Sequence, residues 1–138
     1  MKKLASIISL LLCTALLAAC GGATDSGVWA TAIHTQSTTL GEGALTVTVE
    51  VKAEDKSIDL TIKTDKTILG DALMEHGLVE GEEGQFGLYI KKVNGITADF
   101  DVDQSYWAFY KNGEMMMTGV DGAEIKDGEH YELVYTKS

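Results

Sequence analysis

Asp99, Asp101 and Asp103 alternate with Phe100 and Val102, the carboxylate spacing with which a loop can hold calcium. An EF-hand would continue with Gly at position six and Glu at position twelve. Gln104 and Tyr110 stand there, so an EF-hand is excluded. A weak extracellular calcium site and a solvated acidic turn both stay open. His34, His76 and His130 are scattered, and their spacing matches no zinc site. An axial bond to a corrinoid or haem metal is open to any of them, while His76 near a helix end reads as a partner of the helix dipole. No Ser-His-Asp spacing and no H-E-x-x-H motif appears. Gly41-Glu42-Gly43 precedes a strand instead of following one, so it makes no dinucleotide loop. Glu82 and Glu83 sit in a polar stretch and read as solvated. These residues point away from an enzyme.

Binding chemistry concentrates in Ser105 to Met117, "SYWAFYKNGEMMM", with four aromatics and three methionines around one Asn-Gly pair. Asn112-Gly113 between two β-rich runs predicts a type I′ hairpin, because that turn needs positive φ at both central residues. Lys111 then faces Glu114, Tyr110 faces Met115, Phe109 faces Met116, Ala108 faces Met117 and Trp107 faces Thr118. Opposite charges on Lys111 and Glu114 favour this register. One face of the ribbon carries Trp107, Phe109 and Met116, which reads as core. The other carries Tyr106, Tyr110, Met115 and Met117, with Ala108 and Gly119 leaving space. A sheet backed by one helix needs only one apolar face. The second is therefore either covered by the segment around Trp29 or a loop, or is a ligand or partner patch of the adaptable Met/Tyr kind.

Covalent chemistry is expected at Cys20. Lys2 and Lys3 precede an apolar run from Leu4 to Ala19, shorter than the roughly 20 residues that span a bilayer comfortably. Leu17-Ala18-Ala19-Cys20 closes that run and resembles the lipobox of bacterial lipoproteins, in which the cysteine takes a diacylglycerol thioether and becomes residue one. Residues 1–19 are accordingly expected to be a signal peptide, and the protein extracytoplasmic, anchored to the cell membrane by lipid on Cys20. The other cysteine, Cys13, lies within the signal, so the fold must stand without a disulfide. Losing Lys2 and Lys3 leaves 9 lysines and no arginine against 21 carboxylates, a net charge of −12. Such a chain lacks the basic footprint of a nucleic-acid binder.

These residues need a scaffold, and periodicity supplies one. Residues 20–43 are rich in Gly, Ser, Thr and Ala and read as a tether, with Trp29 to Thr35 open to docking on the domain as an irregular strand. Residues 44–138 hold the domain. Leu45, Val47, Val49 and Val51 alternate with polar residues, as do Ile58, Leu60 and Ile62, which predicts a hairpin around "AEDKS". Ile68, Leu69, Ala72, Leu73 and His76 recur at helical spacing, with Thr67 as N-cap and Gly77 at C′. "EGEEGQFG", Glu80 to Gly87, reads as an acidic loop. "LYIKKVNGI" and "HYELVYTK" are further strands. Hairpin, helix and then strands define an α+β fold, a β-grasp-like mixed sheet with one packed helix.

In that order, "TILGDALMEHGL", "GLYIKKVNGI", "YWAFYKNG" and "TGVDGAEIKDGEHYELVY" resemble the transcobalamin-like C-terminal domain family, a domain of unknown function found on bacterial surface lipoproteins. It is similar to the small β domain of the animal cobalamin carriers. The resemblance covers about residues 45–137. It implies a β-grasp-related fold that closes over a corrinoid held mainly by a larger helical domain, which has no counterpart in this sequence. Cobalamin is thus the cofactor that the resemblance brings into view. Two functions remain open: a membrane-anchored binding lipoprotein for a corrinoid or other small planar ligand, and a cell-surface protein-interaction or accessory module without a small ligand.

Overall fold

Alternation of β-branched and polar residues builds the centre of the molecule. In the computed structural model, which describes residues 27–138 apart from Phe86, Leu45–Ala53 (β2) and Lys56–Thr64 (β3) pair antiparallel over their full length. Val47, Val49 and Val51 lie opposite Ile62, Leu60 and Ile58, so one face is apolar and buried. Thr38–Leu40 (β1) adds to β3 in parallel. His130–Lys137 (β9) adds to the other side of β2 in parallel, and Ser105–Lys111 (β7) pairs antiparallel with β9. Glu114–Met115 (β8) completes a six-stranded mixed sheet in the order β1-β3-β2-β9-β7-β8.

The expected helix spans Leu69–Glu75 and lays Leu69, Ala72 and Leu73 on the buried face of that sheet. At seven residues it is too short to stand alone and depends on this packing. Its C-terminus is as read: Gly77 takes φ +67°, and the Leu78 N–H reaches back to the Leu73 carbonyl at 2.9 Å. Its N-terminus differs. Ile68 is the N-cap and has no side-chain cap, while the Thr67 carbonyl accepts the Ile125 N–H at 2.8 Å. Gly70 is needed for close approach, since a Cβ there would lie 3.1 Å from the Asp121 Cα.

The α+β fold with one packed helix is as expected, but the acidic loop is not. Val79–Gly84 (β4) is a strand, paired antiparallel with Gly87–Val93 (β5), and Ile96–Thr97 (β6) completes a second, three-stranded sheet. β4 has no apolar alternation to betray it because its glutamates stay exposed. Glu82 and Glu80 instead approach Lys91 and Lys92 across the ladder, at 3.6 and 3.8 Å.

Part of the stretch expected as tether is also folded. Gly27–Thr31 is a 3₁₀ turn whose Trp29 is 4 % exposed and belongs to the core. The Trp29 indole N–H donates to the Ala53 carbonyl at 3.0 Å, and Lys56 Nζ lies 4.7 Å from the ring centroid. Asn94, fully buried, clamps His34 through both its amide oxygen and its amide nitrogen. Cys20 and the expected signal peptide lie outside the described residues.

Candidate functional site

β7 and β8 carry the expected hairpin, with φ +51° at Asn112 and +87° at Gly113. Lys111 faces Glu114 and Tyr110 faces Met115, as the Asn-Gly turn predicts. The pairing then stops one bond later, at Met116 N–H to Phe109 O, 2.9 Å. Met117 and Thr118 do not continue the ladder opposite Ala108 and Trp107. The chain turns instead toward β5, where Gly119 runs so close that a Cβ would stand 2.9 Å from the backbone nitrogen and oxygen of Leu88. Asp121 fixes this strap by accepting the Leu88 N–H at 2.9 Å. Antiparallel pairing alternates direction, so the Trp107 N–H and C=O point away from β9, toward the side β8 has vacated.

A cleft of about 460 Å³ opens there, between the edge of the main sheet and the β4–β5 tip. Leu88 and Ile90 form one wall, Trp107 and Phe109 the other, with Met116 at the rim and Val120 at the base. Such a volume lies within the roughly 300–1,000 Å³ of small-molecule sites. The aromatic wall is held in place. The Trp107 indole N–H donates to the Ile96 carbonyl at 3.2 Å, and its ring meets Tyr135 edge-on with centroids 5.6 Å apart. Phe109 stacks on Tyr131 at 5.9 Å.

Of the four residues expected to bind ligand, Tyr106, Met115 and Met117 border this cleft and Tyr110 does not. Tyr106, Tyr110 and Met115 do share the outer face of the sheet, since pairing puts Tyr106 opposite Thr136, and Tyr110 between Glu132 and Met115. Met117 lies past the end of β8 and is 83 % exposed. Among the described residues, the segment around Trp29 does not cover that face; Trp29 packs on the core side instead, against Ala53. The cleft also recruits Trp107 and Phe109, read as pure core. Leu88 and Ile90 were legible only as strand residues, because nothing in the sequence brings the tip of β5 to the edge of β7.

The acidic run is spent on local structure. Asp99 caps the helical turn Phe100–Asp103 by accepting the Asp101 N–H at 3.0 Å. Asp103 accepts from the Ser105 hydroxyl, which, ahead of Lys137, holds its carboxyl below the usual range. His76 follows the helix, with its Nε2 buried and without a hydrogen bond, 4.0 Å from Glu75. Among the described residues, one group of three metal-ligating side chains converges, and it is none of these: Glu50, His130 and Glu132.

Comparisons with known proteins agree with this architecture. The crystal structure of a "putative metal binding protein" from Ruminococcus gnavus is similar over 69 % of this chain and 99 % of its own, at 34 % identity and a TM-score of 0.64. Haptocorrin in complex with Cbi matches 67 % of this chain and 25 % of its own, at 21 % identity and a TM-score of 0.50, a likeness of fold. No curated protein matches the sequence. The family model described as a domain of unknown function, DUF4430, matches residues 65–137, from the helix through β9, and the chain belongs to that family.

Proposed function

We propose that this domain is a non-catalytic binding module, held outside the cytoplasm by lipid on Cys20, which takes the edge of a flat apolar ligand such as a corrinoid into the cleft between β5 and β7. The single observation that carries the reading is the cleft itself. It is apolar, it is walled by aromatics whose positions are fixed by hydrogen bonds and ring packing, and its rim is made of methionines. A rigid wall with an adaptable rim suits a ligand larger than the cleft, of which one side is gripped and the rest stays outside. Haptocorrin, a fold relative solved with Cbi, makes a corrinoid the first ligand to try.

Titration of the protein with cobalamin and, separately, with hemin is expected to quench Trp107 fluorescence to saturation. Leu88→Asp puts a charge on the cleft wall and is expected to weaken binding at least tenfold, about 1.4 kcal/mol. A protein whose emission ignores both compounds would sink the small-ligand reading. Exposure of Met115, Met117 and Tyr89 around one opening favours a second reading, a protein partner docked on the same patch. That version expects a crosslinked partner in intact cells that is lost on changing Met115 and Met117 to Ser.

The anchor is tested by itself. Cys20→Ser is expected to move the protein from the membrane fraction to the soluble one, because each buried methylene of an acyl chain contributes about 0.8 kcal/mol to anchoring. Unchanged fractionation would rule the lipid out.

A further inference from the structure

We propose that Glu50, His130 and Glu132 form a binding site for a divalent transition-metal ion on the outer face of the main sheet. Pairing writes a row across five strands of that face: Asp59 on β3, Glu50 on β2, Glu132 on β9, Tyr110 on β7 and Met115 on β8. Three neighbouring carboxylates thus stand directly opposite one another, an arrangement that costs stability unless a cation lies among them. Beside them stands His130, at the start of β9. Its Nε2 is 3.6 Å from Glu50 Oε1, beyond the range of an N–H···O hydrogen bond. It is close to the spacing of about 3.4 Å that two ligands take around a tetrahedral ion bound at roughly 2.0–2.1 Å.

The ligand atoms of Glu50, His130 and Glu132 all lie within 4.8 Å of one another, and all three residues are half-buried. They project from β2 and β9, the two central strands of the six, each paired with a neighbour on both sides. An imidazole nitrogen with two carboxylates suits zinc, nickel or copper better than calcium or magnesium, which prefer oxygen alone. Three protein ligands leave a coordination position open, as in zinc sites that bind a further group. None of this depends on the cleft, which opens at the edge of the sheet and is lined by none of the three residues.

The test is calorimetric titration of the full chain with zinc chloride in metal-free buffer. One equivalent is expected to bind, and His130→Ala, Glu50→Gln and Glu132→Gln are each expected to weaken it at least tenfold, while His34→Ala leaves it unchanged. Equal affinity in the wild type and His130→Ala, or no stoichiometric binding, would overturn the proposal. Thermal melting separates lost ligation from lost folding. Without metal, Glu132→Gln is expected to melt at or above the wild-type temperature, since it relieves a like-charged pair. Zinc should then raise the wild-type melting temperature and leave that of the variant where it was. Equal shifts in both proteins would place the ion elsewhere. A tenfold excess of calcium is expected not to displace zinc, and displacement would refute the transition-metal assignment.

Discussion

Trp29→Ala is expected to destabilise the domain by about 3–5 kcal/mol, the usual cost of truncating a buried aromatic to alanine. Trp29 sits before the first strand, in a stretch whose composition is that of a spacer, yet its ring is enclosed by the core and its indole N–H satisfies the Ala53 carbonyl where the β2–β3 hairpin turns. Removing the ring leaves a cavity under the hairpin, takes the indole hydrogen bond from the Ala53 carbonyl, and takes from Lys56 the aromatic face it covers. Against a domain stability of about 5–15 kcal/mol the loss is large. It is read as a shift of the guanidinium midpoint at neutral pH, with Trp29→Phe keeping most of the buried area and losing less. A shift worth under about 1 kcal/mol would mean that the segment only rests on the domain. The consequence reaches the anchor. If lipid holds Cys20, only residues 21–26 separate it from the packed segment, a reach of at most roughly 25 Å, so the domain would stand close to the membrane surface.

How much of this was legible follows from what each segment needs. β2 and β3 bury one face each, and a period of two fixes both their existence and their pairing. The Asn-Gly turn fixes the β7–β8 register for the same local reason: both turn residues must take positive φ. β4 escapes sequence reading because its stability comes from β5 beside it and not from a buried face of its own. Trp29 is visible as an odd residue in a spacer, but the groove that receives its segment is made of residues far along the chain, Ala53 and Asn94 among them. The candidate cleft is half legible. Its methionines and Tyr106 stand out by type, while Leu88 and Ile90 look like any strand residues until the strap through Gly119 brings β5 alongside β7. The row Asp59, Glu50, Glu132 was hidden for a further reason, since a parallel partnership between β2 and β9 cannot be read from either strand alone.

Glu129→Gln is expected to cost on the order of 3 kcal/mol at neutral pH, and the cost is expected to vanish in acid. Glu129 precedes β9, with a side chain only 15 % exposed. Burial by itself would raise its pKa. Hydrogen bonds from Lys111 Nζ at 2.8 Å, from the Tyr131 hydroxyl and from the Lys126 N–H at 2.9 Å outweigh burial and bring it from 4.5 down to about 2. In Tyr131 the same contact acts the other way: burial, then the neighbouring carboxylate, push the phenol well above its usual value. A depressed carboxylate pKa means that the folded state releases the proton more readily than the unfolded one. Its contribution is therefore whole above about pH 4.5 and is lost as the pH falls through about 2, each tenfold difference in proton affinity between the two states being worth about 1.4 kcal/mol. The measurement is the difference in unfolding free energy between wild type and variant, followed from neutral pH down to about 2.5. Other carboxylates titrate in both proteins and cancel, so a difference that stays constant over that whole range would show that Glu129 titrates alike in the folded and unfolded chains. The residue matters beyond its own energy because Lys111 is the last residue of β7, beside the turn that sends the chain back as β8. Neutralising Glu129 frees that lysine, and the hairpin it ends carries Met115 and Met116 to the rim of the cleft.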